Sequence, residues 1–318
     1  MNAWEAGVFA SGLGSPVARS AERFDDLFTF ILVLSGIFFA AIVSTMTYFV
    51  VRYRRRSKGQ RTSAIHGNVK VEVIWALVPA VLLIVIFVWG FRDFLYLAVV
   101  PRDAIEVRVT GQKWFWTFDY PANGINTNEL TVPVGRPVKL VMSSTDVIHS
   151  FYVPAFRVKR DVLPNRYTVM WFEALEKGTY DVLCAEYCGT GHSKMLGKVN
   201  VVSQKEYEDW LDSGGGMSGE GMSSVEFGKT LFNKQGCATC HSVDGTKKVG
   251  PSFLKKYGTQ ERLKGGTTVL VDDNYLRESI MEPNAKVVEG YEPVMPTYSG
   301  RLKDKQVNAL VDYIKSLQ

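Results

Sequence analysis

Hydrophobic and polar positions divide the chain near residue 100. Residues 27–51 carry no charge between Asp26 and Arg52, and residues 73–91 carry none between Glu72 and Arg92. At about 1.5 Å per helical residue these runs reach about 37 and 28 Å, enough to cross a bilayer. The pattern predicts a two-helix transmembrane hairpin, with helices at about 27–51 and 72–92, inside an N-terminal region 1–100. Pro79 falls in the second run, where packing against partner helices accommodates a kink. From Pro101 the period changes to two. Residues 105–110 alternate apolar and polar, residues 132–142 read as a turn then a strand, and 167–172, 178–183 and 197–202 read as further strands. Short strands with Gly/Pro turns over 101–202 predict an all-β sandwich or Greek-key barrel. Residues 203–222 read as a linker, Gly- and Ser-rich from Ser213 onward. Residues 223–318 return to helical spacing: 224–232 form a first helix, and Val307, Leu310, Val311, Ile314 and Leu317 mark a last one.

Charge adds a direction. A formal net charge of +5 is too small to imply a nucleic-acid partner. Between the spans lie Arg52, Arg54, Arg55, Arg56, Lys58, Arg61 and Lys70, with no acidic residue before Glu72. The positive-inside rule puts this loop in the cytoplasm and both termini on the outer face. The N-terminus lacks the basic start and short apolar core of a cleavable signal peptide, so the first span is expected to direct insertion. His66, in the loop, reads as solvated. Glu72 reads either as a helix-end carboxylate favoured by the macrodipole or as a proton-uptake group at the membrane boundary.

The chain has four cysteines in two close pairs, Cys184/Cys188 and Cys237/Cys240. Two disulfides of an exported protein would account for them, but their surroundings point to metal and haem. His149 and the run Cys184-Ala185-Glu186-Tyr187-Cys188-Gly189-Thr190-Gly191-His192-Ser193-Lys194-Met195 offer two thiolates, two imidazoles and a thioether. Zinc is open by ligand count. Soft sulfur, the strand context and the following methionine favour copper. A single blue copper needs one cysteine and two histidines, whereas here each cysteine has one histidine. Two coppers bridged by both thiolates fit that ratio, each capped by one histidine. Met195 then supplies one weak axial ligand, and the Glu186 carbonyl can supply the other. Further on, Cys237-Ala238-Thr239-Cys240-His241 is the attachment signature of covalent c-type haem, with His241 on the iron. Val249-Gly250-Pro251 resembles the class I cytochrome segment, which implies a proline carbonyl that orients that histidine. Pro293-Val294-Met295-Pro296-Thr297-Tyr298 resembles the distal methionine loop of that family, which implies Met295 as the second iron ligand, with Met281 the competing candidate.

Residues 20–202 resemble subunit II of the haem–copper oxidases. The likeness is carried by Asp146-Val147-Ile148-His149-Ser150-Phe151, the cysteine loop, Val71-Glu72-Val73-Ile74-Trp75 with Pro79, and Gly111-Gln112-Lys113-Trp114-Phe115-Trp116. Residues 223–318 resemble a class I cytochrome c. Together they imply a cupredoxin-like copper A domain followed by an all-α cytochrome c domain. The resemblance implies a binuclear copper A centre on His149, Cys184, Glu186 (carbonyl), Cys188, His192 and Met195. It also implies a magnesium site shared with subunit I on the Glu186 side chain, Glu72 at the mouth of a proton channel, and Trp114 as the electron relay. An aromatic core of Trp114, Phe115, Trp116 and Phe118 is the rival reading, and the surface relay is favoured for Trp114 because strand alternation puts Trp114 and Phe115 on opposite faces. Quinol-oxidising relatives lack the copper ligands, so an external cytochrome c or a donor complex is the implied reductant. The expected protein is a subunit of a proton-pumping cytochrome c oxidase in a bacterial inner membrane. Its partners would be subunit I, other oxidase subunits and lipid, with copper and haem domains on the outer side. A nitric oxide reductase subunit and a membrane-anchored electron shuttle are the alternatives.

Overall fold

The computed structural model describes residues 15–61, 67–215, 219 and 221–318. His66 and the first fourteen residues lie outside these. Two compact units emerge: residues 1–100 with 155–157, and residues 101–154 with 158–318.

In the first unit, helix α1 (Arg19–Arg52) and helix α2 (Val69–Ala98) form the hairpin. Both run past the charge-free windows that predicted them. On α1 the reason is Asp25, which is buried and accepts two hydrogen bonds, at 3.1 Å each, from the largely buried Arg157 guanidinium. A paired carboxylate need not end a helix. Ser20 Oγ donates to the Phe156 carbonyl at 2.6 Å in the same place. Arg23 bonds Asp93 at 2.8 Å between the helices, and Phe30 packs on Trp89. Helix α2 opens on Asn68, whose side chain accepts from the amides of Lys70 and Val71. The most apolar stretches of both helices are wholly unburied within the chain, as lipid-facing surfaces are.

The second unit begins with a sandwich of two five-stranded sheets, which decides between sandwich and barrel. Its strands are β1 (Ile105–Gln112), β2 (Phe115–Tyr120), β3 (Ile125–Thr127), β4 (Leu130–Pro133), β5 (Pro137–Ser144), β6 (His149–Val153), β7 (Val158–Val162), β8 (Thr168–Glu173), β9 (Gly178–Cys184) and β10 (Leu196–Val202). The sheets are ordered β3-β2-β1-β5-β8 and β4-β10-β9-β6-β7. Trp116, Phe118 and Tyr120 face the core between them, where Trp116 and Phe118 meet Phe151 edge-on. The Tyr120 hydroxyl donates to the Thr131 carbonyl and accepts from its amide, at 2.8 Å each, so its polar tip is satisfied.

The expected linker is shorter than 203–222. Helix α3 (Gln204–Asp212) occupies its first half, started by a capping box between Ser203 and Glu206. Its Trp210 packs edge-on against Tyr120 with ring centroids 4.9 Å apart.

The haem-binding signature lies among helices α4 (Ser224–Lys234), α5 (Cys237–Cys240), α6 (Asp273–Met281) and α7 (Asp304–Lys315). One short hairpin, β11 (Gln260–Arg262) with β12 (Thr268–Leu270), interrupts an otherwise helical domain. Helices α4 and α7 cross at Gly228, where a β-carbon would stand 1.9 Å from the Ala309 carbonyl oxygen. Replacing Gly228 with alanine should force the helices apart and cost about 1–3 kcal/mol, the usual range for overpacking. Thermal unfolding of the haem domain, followed by haem absorption, checks this.

Candidate metal centre and haem pocket

Strand β9 ends on Cys184 and β10 starts at Leu196, and the loop between them carries the rest of the cysteine run. Strand β6 begins on His149 and pairs antiparallel with β9, which brings the imidazole to the same end of the sheet. Cys184 and Cys188 Sγ atoms lie 3.8 Å apart, and both thiols are free. A disulfide requires about 2.05 Å. Each sulfur has its own imidazole: His149 Nδ1 is 3.9 Å from Cys184 Sγ, and His192 Nδ1 is 3.5 Å from Cys188 Sγ. Each also has its own weak donor: the Glu186 carbonyl oxygen is 3.2 Å from Cys184 Sγ, and Met195 Sδ is 3.8 Å from Cys188 Sγ. His149 and Met195 are fully buried. The Glu186 side chain itself is exposed.

The electrostatics fit a bound cation. Burial opposes ionisation of Cys184, but hydrogen bonds from His149 and from the backbone of Ser150 outweigh it and bring the thiol down to about 6. Burial pushes Cys188 up to about 12, and the neighbouring Cys184 thiolate adds to that. Two buried thiolates this close need positive charge between them to coexist.

Sequence reasoning assigned no role to Asp146. Its Oδ1 lies 2.8 Å from His149 Nε2, which turns Nδ1 inward to the sulfurs. Burial raises its carboxyl, yet bonds from His149 and the amides of Lys113 and Val147 prevail and hold it at about 2. A carboxylate three residues before a metal-binding histidine is the signal that could have found it.

Trp114 is not a strand residue. It occupies the turn between β1 and β2, half-buried, and its Nε1 donates to the Cys188 carbonyl at 3.2 Å. The ring lies flat over Gly191, where a β-carbon would stand 2.3 Å from Trp114 Cδ2. Glu72 sits in the first turn of α2 and is exposed.

In the haem domain, Cys237, Cys240, His241 and Met295 line one apolar cavity. Met281 is absent from its wall, and its carbonyl accepts from Thr297 Oγ1 at 2.5 Å. His241 Nδ1 donates to the Pro251 carbonyl at 2.8 Å, leaving Nε2 free for a metal. Phe253 stacks on its ring at 4.5 Å. Burial lowers the affinity of His241 for a second proton, so the neutral ligand form is favoured.

Family models match three consecutive parts of the chain. Residues 5–92 match the transmembrane domain of cytochrome c oxidase subunit II, 124–202 its periplasmic domain, and 225–318 cytochrome c. The cytochrome c oxidase subunit 2 of Alkalihalophilus pseudofirmus is 30% identical over 310 residues, covering 93% of this chain and 87% of its own. The chain belongs to the cytochrome c oxidase subunit II family. The subunit 2 of Bacillus subtilis is 28% identical over 95% of this chain and 90% of its own. The periplasmic domain of subunit II of cytochrome oxidase from Bradyrhizobium japonicum aligns with 36% of this chain and 96% of its own, at 32% identity and a TM-score of 0.35. As a subunit II, the chain is a membrane-anchored part of a haem–copper oxidoreductase complex, with its β domain on the outer side. It associates with other oxidase subunits such as subunit I. Its β domain implies copper A and its C-terminal domain haem c.

Replacing Gly191 with alanine should tip Trp114 away from the Cys188 carbonyl. The Trp114 indole N–H signal, followed by NMR hydrogen exchange, should lose its protection.

Proposed function

We propose that this subunit II receives electrons for a membrane terminal oxidase and hands them to subunit I, where oxygen is reduced to water with proton pumping. The observation that carries the reading is the paired donor set: two unbonded thiols, each with one imidazole and one weak donor, in the same unit as a haem-attachment pocket. A copper pair on His149, Cys184, Glu186 (carbonyl), Cys188, His192 and Met195 and a covalent haem on Cys237, Cys240, His241 and Met295 each supply a one-electron carrier when bound.

The protein's contribution is positioning. Asp146 fixes the His149 tautomer and ring plane, and the Pro251 carbonyl does the same for His241. Burial of His149, Cys188 and Met195 keeps water out, so little solvent must reorganise when charge changes. Trp114, bonded to the Cys188 carbonyl, is the relay on the surface of the loop. The exposed Glu186 carboxylate would hold magnesium together with subunit I, and Glu72 would pass protons to a channel there. An external cytochrome c or a donor complex is the reductant, and the bacterial inner membrane, with its lipid against α1 and α2, is the location. None of these roles calls for nucleic acid.

Replacing Cys184 with serine should leave a chain that cannot hold two coppers, with the copper-to-protein ratio falling from two to one or less by metal analysis. The covalent haem should remain, because its thiols belong to another domain. The function is tested by purifying the complex from native membranes through a tag on this chain, then supplying reduced cytochrome c. Vigorous oxygen uptake yielding water establishes the oxidase. Turnover of nitric oxide with little oxygen uptake would assign the subunit to a nitric oxide reductase, and purification of this chain alone without turnover would make it a shuttle.

A further inference from the structure

Strand β2 breaks the rule of a sandwich strand. Its inward residues Trp116, Phe118 and Tyr120 are buried, but so are Phe115 and Thr117 on the outward face, at 7% and 4% exposure. The haem domain lies over that face. Phe115 lines the same cavity as Cys237, Cys240 and Met295. Thr117, Asp119 and Asn126 share a second cleft with Thr297 and Arg301.

The polar contacts around this face are specific. Asn126 is paired with Asp119 across β2 and β3, and its amide nitrogen bonds the Asp119 carboxylate, which turns the amide oxygen outward. That oxygen accepts from Arg301 Nη2 at 2.9 Å, and the Asn126 backbone carbonyl accepts from Gln235 Nε2 at 3.4 Å. Two residues on, the Asn128 amide donates to the Lys234 carbonyl at 3.2 Å, and Asn128 Nδ2 donates to the Asn233 carbonyl at 3.1 Å. The last carbonyls of a helix have no partner within it, and here the copper domain supplies partners to the end of α4. Gln235 also accepts, through its own carbonyl, from the Tyr298 hydroxyl at 2.9 Å. The grip therefore falls on the two segments that carry the haem residues: the turn just before Cys237, and the loop that follows Met295.

We propose that the outer face of β1, β2 and β3 is a seat for the chain's own haem domain, latched by Asn126, Asn128, Gln235 and Arg301, with Phe115 as the point of electronic contact between the domains. The inference rests on the two-centre reading above. From the wall of the haem cavity to a copper-binding thiol the route is short: Phe115, its neighbour Trp114, and the hydrogen bond from Trp114 to the Cys188 carbonyl. One electron leaves the ferrous haem, which becomes ferric, and reduces the copper pair by one, and no proton moves. The stretch between α3 and α4 tethers the haem domain at high effective concentration, so a few polar bonds are enough to hold it seated. Seating also explains why neither domain needs a strongly charged docking patch for the other: residues 101–202 hold 12 basic and 10 acidic side chains, and residues 223–318 hold 14 and 11.

Two measurements on the full chain test the seat. In the double variant Asn126→Ala, Arg301→Ala, the Asn128 amide should exchange with solvent about tenfold faster, the effect of losing a charge-assisted bond, while β9 amides keep their protection. After flash reduction of the haem in the copper-loaded chain, electron transfer to copper should be independent of added glycerol in the wild type. It should be slower and glycerol-dependent in the double variant, with both absorption spectra unchanged. Phe115→Leu should keep the exchange protection and slow the transfer several-fold. Wild-type exchange and wild-type rate in the double variant would overturn the seat, and an unaltered rate in Phe115→Leu would overturn its part in the contact. Absence of copper or haem from the wild-type chain would refute the two-centre reading instead, and the exchange arm would still decide the seat.

Discussion

Two sulfur atoms held 3.8 Å apart in a buried site, and kept from bonding to each other, set the terms for the copper domain. As free thiols they are at odds: hydrogen bonds favour the ionised form of Cys184, while burial, and then the Cys184 charge, oppose ionisation of Cys188. Only a site that accepts positive charge between them resolves the conflict, and the scaffold is arranged around that need. Strand β6 delivers one histidine across a sheet pairing, the turn before β10 delivers the other, and Asp146 anchors the first from behind. The end of β9, the start of β6 and the loop before β10 thus converge on a gap less than 4 Å wide. A site assembled this way has little room to rearrange when one electron arrives, which is the property an electron carrier requires.

The haem domain solves a similar problem with different means. Its histidine sits in a short local motif, and the surrounding fold aims it: the Pro251 carbonyl on one side, the Phe253 ring on its face. Packing of α4 against α7 through Gly228 brings the two ends of the domain together around that core. The copper domain adds to the capping of α4, through the Asn128 amide on the Lys234 carbonyl and Asn128 Nδ2 on the Asn233 carbonyl, which the Gly236 amide also reaches.

Much of this was legible in the sequence because the decisive groups are local. Cysteine, histidine and methionine within twelve residues, and a five-residue haem signature, announce their chemistry without a fold. His149 lies far from the cysteines in sequence, but few histidines compete with it. What escaped depends on contacts between distant residues. Helix α1 continues beyond its charge-free run because Asp25 meets Arg157, a partner more than a hundred positions away. Helix α3 was hidden by the glycines that follow it, although Ser203 and Glu206 spell its capping box. Trp114 reads as a strand residue in a run of aromatics, yet the turn lifts it onto the cysteine loop. Asp146 stands three residues before His149, a spacing that hints at its purpose, but the bond to Nε2 is made only when β6 and the turn before it are folded.

Strand β2 has no spare side. An ordinary sandwich strand offers alternate positions where side chains change freely, because one face meets only water. From Phe115 to Thr117 both faces are covered, by the sheet opposite and by the haem domain. Although only β3 separates it from the edge of its sheet, this strand has the mutational tolerance of a central one. Any change there is read twice, once by each domain, so the two halves of the unit cannot drift in sequence independently of each other.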